Sequence, residues 1–180
     1  MMSWLRRSIL PIAIVVVTLP TLVFVLLGLP LLDTASRENW RVIQAGDSVD
    51  AAGYRWTLTQ SQEFPGLGTD ESGNAVPVGL ALVGAIVEVT PLDSPEEGSC
   101  ETVLTTRIHG EEEVWDQVFD ETDFNYELGE DRTPYCLLDG EALELELVFL
   151  TPEHVYDSAT VDLSMLTDDG PVQFRFELAR

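Results

Sequence analysis

The chain has 180 residues, with 32 Asp and Glu against 9 Arg, no Lys, and a formal net charge of −23. So acidic a surface repels nucleic-acid phosphates and anionic lipid heads, and no nucleic-acid partner is expected. The length suits a single domain with a real core once one apolar segment is set aside.

That segment comes early. Residues 9–32, Ile9 to Leu32, carry no charge and follow Arg6 and Arg7. At about 1.5 Å per helical residue the run reaches roughly 36 Å, against a bilayer core of about 30 Å. Unpaired backbone amides are costly in hydrocarbon, so the run is expected as one transmembrane helix. Pro20 removes a hydrogen bond mid-span, and Thr18 and Thr21 help to satisfy the freed carbonyl, which predicts a kink. The arginines ahead of the span, with no basic excess at Asp33–Glu38, place residues 1–8 in the cytoplasm as a short tip. Residues 33–39 then form a linker, and residues 40–180 an extracellular domain on a single-pass cell-membrane protein. A cleaved signal peptide is the rival reading. Its apolar core is usually shorter, about 7–15 residues, but the small residues Thr34, Ala35 and Ser36 would permit cleavage.

All 32 acidic residues and 7 of the 9 Arg follow the span, a formal charge of −25 for residues 33–180. Such a coat either docks a basic partner or a divalent cation, or serves as a solvated surface; the second is the simpler reading.

From residue 40 onward the dominant period is two, the mark of strands with one wet face. A strand is expected at Trp40–Gln44. Asp47, Asp50 and Gly53 then read as turn chemistry before Tyr54–Gln60, where Tyr54, Trp56 and Leu58 alternate with Arg55, Thr57 and Thr59. Pro65 to Asn74 is a long polar loop. Val78–Val89, apolar on both faces and containing Gly79 and Gly84, reads as a central strand. Pro91 to Gly98 is a turn region, and Thr102–Ile108 a Thr-rich strand. The acidic stretch Glu111–Asp131, with Trp115, Phe119, Phe124 and Tyr126 in poor periodicity, holds one short strand and an irregular loop. Leu143, Leu145, Leu147 and Phe149 alternate with Glu144 and Glu146. Val161, Leu163 and Met165 alternate with Asp162 and Ser164. Val172, Phe174, Phe176 and Leu178 close the pattern, with turns at Asp139-Gly140 and Asp168–Gly170. Short strands with frequent turns predict an all-β antiparallel sandwich.

Cys100 and Cys136 are the only two cysteines. In an oxidising exterior an even count predicts one disulfide between them. The alternative is a metal site completed by His109 and His154, whose spacing matches no compact zinc pattern. No G-x-S-x-G elbow, H-E-x-x-H, phosphate-binding glycine loop or C-x-x-C is present. Asp70–Asn74 has a calcium-loop flavour without the regular ligand order or the distal Glu. No catalytic residue, metal or cofactor is therefore expected.

Short motifs in this order resemble a known family. Gly46-Asp47-Ser48-Val49 and Gly53-Tyr54-Arg55-Trp56-Thr57-Leu58 look like the opening hairpin of DUF4352-type immunoglobulin-like domains. Val87-Glu88-Val89-Thr90, Cys100–Leu104, Trp115, Tyr135-Cys136 and Leu147–Pro152 follow as in that family. The layout is similar to single-pass actinobacterial membrane proteins bearing such a domain and a Cys pair. The resemblance implies an immunoglobulin-like sandwich over about residues 40–178 and no particular activity. The acidic insert Glu111–Asp131 departs from the pattern. Function is accordingly expected to be non-enzymatic: a membrane-anchored protein-interaction module of the cell envelope or, alternatively, an accessory single-pass subunit of a larger membrane complex.

Overall fold

The computed structural model describes residues 40–66, 76–108, 110–118 and 129–178. The tip, the expected transmembrane helix at 9–32, the linker 33–39, His109 and the Asp70–Asn74 loop lie outside the described residues, as do residues 119–128 of the acidic insert. Among the described residues no helix is long and apolar enough to cross a membrane. The chain divides into Met1–Trp40 and Arg41–Arg180, and every strand described belongs to the second unit.

The strands are β1 (Arg41–Ile43), β2 (Ser48–Ala51), β3 (Tyr54–Pro65), β4 (Leu80–Pro91), β5 (Gly98–Ile108) and β6 (Glu111–Trp115). They continue as β7 (Arg132–Thr133), β8 (Leu137–Leu138), β9 (Leu143–Pro152), β10 (Thr160–Thr167) and β11 (Gly170–Glu177). One sheet runs β1-β11-β10-β5-β6, with β8 paired to the start of β5; the other runs β2-β3-β4-β9-β7. Along the chain, consecutive strands lie in different sheets after β1, after β4, after each of β6, β7 and β8, and after β9.

The two sheets face each other across one core. Tyr54, Trp56 and Leu58 of β3, Val83, Val87 and Val89 of β4, and Leu145, Leu147 and Phe149 of β9 are buried from one side. Leu104, Val161, Leu163, Phe174 and Phe176 meet them from the other. Trp56 and Phe174 touch edge to face at 5.5 Å between ring centroids, which ties β3 to β11 across the sandwich. Burying each such side chain stabilises by about 1.5–3 kcal/mol. The polar tips are satisfied: Trp56 Nε1 donates to Ala51 O at 3.1 Å, and the Tyr54 hydroxyl accepts from the Gly140 amide at 2.9 Å.

The all-β sandwich expected from the periodicity is present, but it is not purely antiparallel. β1 pairs parallel with β11, and β7 pairs parallel with β9. Both are short edge strands, and neither is joined to its partner by a hairpin, so no tight turn forces the antiparallel direction. Boundaries also differ: β3 runs on to Pro65, past the expected end at Gln60, and β5 starts at Gly98 and not at Thr102. Ser48–Ala51, read as turn chemistry, is strand β2, paired to Tyr54–Thr57. The central strand starts at Leu80, because the preceding Pro77–Gly79 turn bonds Leu80 N to Pro77 O and leaves Val78 exposed. The acidic stretch opens with β6, then bridges Gln117 to Phe149 of the other sheet, and ends at β7.

Candidate functional site

Each sheet has an outer face, and each carries one constructed feature. On the five-stranded sheet the feature begins with a β-bulge. Up to Leu58, the even-numbered residues of β3 point into the core. The register with β4 then shifts between Leu58 and Gln60. The extra residue, Thr59, reverses the alternation. Ser61 and Glu63 now sit on the core side and Gln60, Gln62 and Phe64 on the outer side, as the exposure along the strand shows. Opposite them in β4 stand Ile86, Gly84 and Leu82, and across in β9 stand Glu146, Val148 and Leu150.

Gly84 lies in the middle of the innermost strand of this sheet. A Cβ built there would meet only Phe64 Cε2 at 3.6 Å and Gln62 O at 3.9 Å, ordinary contacts. Nothing in the packing requires a glycine. Its missing side chain forms the floor of a groove of about 430 Å³, bordered by Gln60, Gln62, Phe64, Ile86, Arg132 and Glu146. Glu146 is almost fully buried. It accepts from the Gly129 amide at 2.8 Å and lies 3.6 Å from Arg132 Nη1. Arg132 Nε also donates to Glu144 at 3.0 Å. That carboxylate contact holds the guanidinium pKa above its usual value.

The six-stranded sheet buries a carboxylate on its outer face. Asp162 of β10 pairs in register with Arg175 of β11, whose Nη2 lies 2.9 Å from Asp162 Oδ2 and 3.8 Å from Glu112 of β6. Thr105 and Thr160 share a hydroxyl hydrogen bond at 2.9 Å, and Thr160 in turn donates to Asp162 Oδ1 at 2.9 Å. Burial pushes the Asp162 carboxyl up to about 6, against the pull of Arg175 and the threonine hydrogen bonds. Nearer the β10–β11 turn the same face carries exposed apolar side chains. Leu166 is 82% exposed and pairs with Pro171, and Leu137 is 63% exposed and pairs with Ser99. Ser99, Glu101, Ser164, Leu166, Pro171 and Gln173 border one shallow depression of about 350 Å³. The turns around it, Glu96-Glu97, Asp139 and Asp168-Asp169, are acidic; Glu96 accepts from the Asp168 amide at 3.3 Å.

The sequence-predicted residues fall as follows. Cys100 and Cys136 form a disulfide with Cα atoms 5.3 Å apart, so neither thiol is available to a metal. It ties the start of β5 to the residue ahead of β8. His154 sits in a turn at φ +73°, its amide donating to Glu63 at 3.3 Å. Among the described residues no group of three His, Cys, Asp or Glu side chains is arranged to hold a metal ion. The groove residues Gln60, Gln62, Phe64, Arg132 and Glu146 and the Asp162–Arg175 pair were not singled out from the sequence. One signal was there: the even positions run Tyr, Trp, Leu and then turn polar at Gln60 and Gln62, which is how a bulge breaks an alternation.

No family model matches this chain, and no curated protein matches it. Among solved structures, an uncharacterised β-sandwich protein from Clostridium difficile 630 aligns over 78% of this chain and 95% of its own, at 11% identity and a TM-score of 0.39.

Proposed function

We propose that this chain is a non-enzymatic, single-pass envelope protein whose exterior immunoglobulin-like domain docks a protein partner. The observation that carries the docking reading is the apolar row Leu137, Leu166 and Pro171, standing open on a sheet face and ringed by acidic turns. Leu137 and Leu166, both more than half exposed on one sheet face, offer apolar area to a partner. The partner's chemistry follows from the ring: aliphatic side chains for the row, Arg or Lys for Glu97, Asp139 and Asp169.

Four features support the remaining parts. The Cys100–Cys136 disulfide fits an oxidising compartment, and the uncharged run 9–32 behind Arg6-Arg7 fits an anchor. The strand order β11-β10-β5-β6 facing β3-β4-β9, with crossings after β4 and β9, fits an immunoglobulin-like connection. The DUF4352-like motifs sit on strands: Val87–Thr90 within β4 and Leu147–Pro152 at the end of β9.

The test is purification of the full chain from its native membrane in mild detergent. A stoichiometric partner is expected, lost with Leu137→Ser/Leu166→Ser and weakened by salt. A partner that survives the double substitution and is instead lost when residues 9–32 are replaced by an unrelated span would favour the accessory-subunit reading. Recovery of the chain as a soluble product starting near Ser36 would overturn the anchor.

A further inference from the structure

Two departures from regular strand chemistry meet at one place on the five-stranded sheet. The bulge at Thr59 turns Gln60, Gln62 and Phe64 outward, and Gly84 stands opposite Gln62 in the neighbouring strand. A bulge re-aims side chains, and a glycine inside a strand marks close approach by something else. Gly84 is not forced by packing, since a Cβ there meets nothing nearer than 3.6 Å. Local rules broken side by side without a structural reason are what a binding site leaves in a fold.

The lining decides what binds. Among the described residues, the groove's ionic groups are Arg132 and Glu146, in contact at 3.6 Å, with Arg132 also held by Glu144 at 3.0 Å, so the guanidinium is already neutralised. Among the described residues no cluster of three carboxylates or imidazoles is placed to hold a metal ion. An anion must enter the field of a chain with net charge −23. A neutral ligand is left. The carboxamides of Gln60 and Gln62 both donate and accept, which suits hydroxyl groups that do the same. Phe64, 43% exposed, and Ile86 offer apolar surface to C–H groups. Strands about 4.8 Å apart put β3 and β9 roughly 10 Å from one another across β4, room for a single sugar ring above Gly84. We infer that this groove binds a neutral saccharide, laid along β4 with a ring over Gly84 and its hydroxyls toward Gln60, Gln62 and Arg132. The groove stands on its own geometry, on the opposite sheet from the proposed protein-docking row, and does not depend on that reading.

The test uses the full chain, solubilised without a glycoside detergent, against an array of neutral oligosaccharides of three to six units built from glucose, mannose, galactose, arabinose and N-acetylglucosamine. Retention on at least one of these is expected. Gly84→Val, which fills the floor with a side chain suited to a strand, should weaken that binding at least tenfold while the thermal midpoint holds or rises. Phe64→Ala, at an exposed position, should weaken it as well and covers the case in which Gly84→Val fails to fold. Leu166→Ser, on the other sheet, should leave it unchanged. Absence of binding to every neutral oligosaccharide, undiminished binding in both folded groove variants, or a preference for uronic-acid oligosaccharides or for peptides would each overturn the proposal.

Discussion

On the six-stranded sheet the outer face hides a charge: Asp162 lies under Arg175 with its side chain 0% exposed. On the five-stranded sheet, the outer face of an inner strand carries Gly84, which hides nothing and leaves a hollow. Both positions belong to strands hydrogen-bonded on each side, β10 and β4, and both would read as ordinary members of a sheet. The difference teaches that an outer face is not uniformly wet. Long side chains from neighbouring strands can cover it, and a missing side chain can open it, and the two outcomes place stability on one face and capacity on the other.

The comparison can be broken most forcefully at the disulfide, which belongs to the six-stranded side alone. Closing a loop over a sequence separation of 36 restricts the unfolded chain, so Cys100→Ser/Cys136→Ser should destabilise by about 4 kcal/mol. Hydrogen exchange should show the loss first at the Gly98 end of β5 and in β8. An equal loss along β3 and β4 would mean that the sheets do not differ in this way.

The next largest effect concerns the buried pair. Arg175→Met strands the Asp162 carboxylate and should cost about 3 kcal/mol at pH 7. The sign with pH is fixed by the direction of the shift. Asp162 is raised from 3.8 to about 6, so between these values the folded protein keeps a proton that the unfolded chain has released. Its contribution to stability is therefore greatest at low pH, falls as the pH rises toward 6, and is flat above. The Arg175→Met penalty should shrink below pH 6, where Asp162 is protonated. Asp162→Asn removes the slope, and should gain on the parent by about 2 kcal/mol between pH 4.5 and pH 7 in denaturant titrations. A difference independent of pH would show that Asp162 is not buried as described.

The smallest effect has the opposite sign. Gly84→Ala should stabilise by about 0.5–1 kcal/mol, since a glycine in a strand loses more conformational freedom than alanine and the Cβ has room. A lowered thermal midpoint would mean that Gly84 answers to packing, and the contrast between the two faces would lose one of its sides.

What could be read from the sequence was what repeats locally. Tyr54, Trp56 and Leu58, the leucines of β9, and Val161, Leu163 and Met165 announced their strands because burial on one face recurs every second residue. β4 was legible because both of its faces are apolar. The parallel pairing of Arg41 with Phe174 could not be read, since it joins distant parts of the chain and leaves no local period. β2 was hidden because Asp47 and Asp50 look like turn residues, although Asp50 serves the hairpin by accepting two hydrogen bonds from Arg55 of β3. Asp162 was misleading for a related reason: alternation assigned it to the wet face, and only the register that sets Arg175 beside it explains its burial. The groove was the least legible, because it arises from a register shift in one strand and an absence in the next.

One edge has a bearing on how copies of this protein live together. β6 ends its sheet among the described strands, and Glu111, Glu112 and Glu113 stand exposed along it, with only Val114 and Trp115 to invite company. Two molecules meeting rim to rim would bring two such triplets of carboxylates within a strand's spacing, about 5 Å, where repulsion outweighs the few amide bonds to be gained. Pairing of two copies edge to edge through β6 is thereby disfavoured.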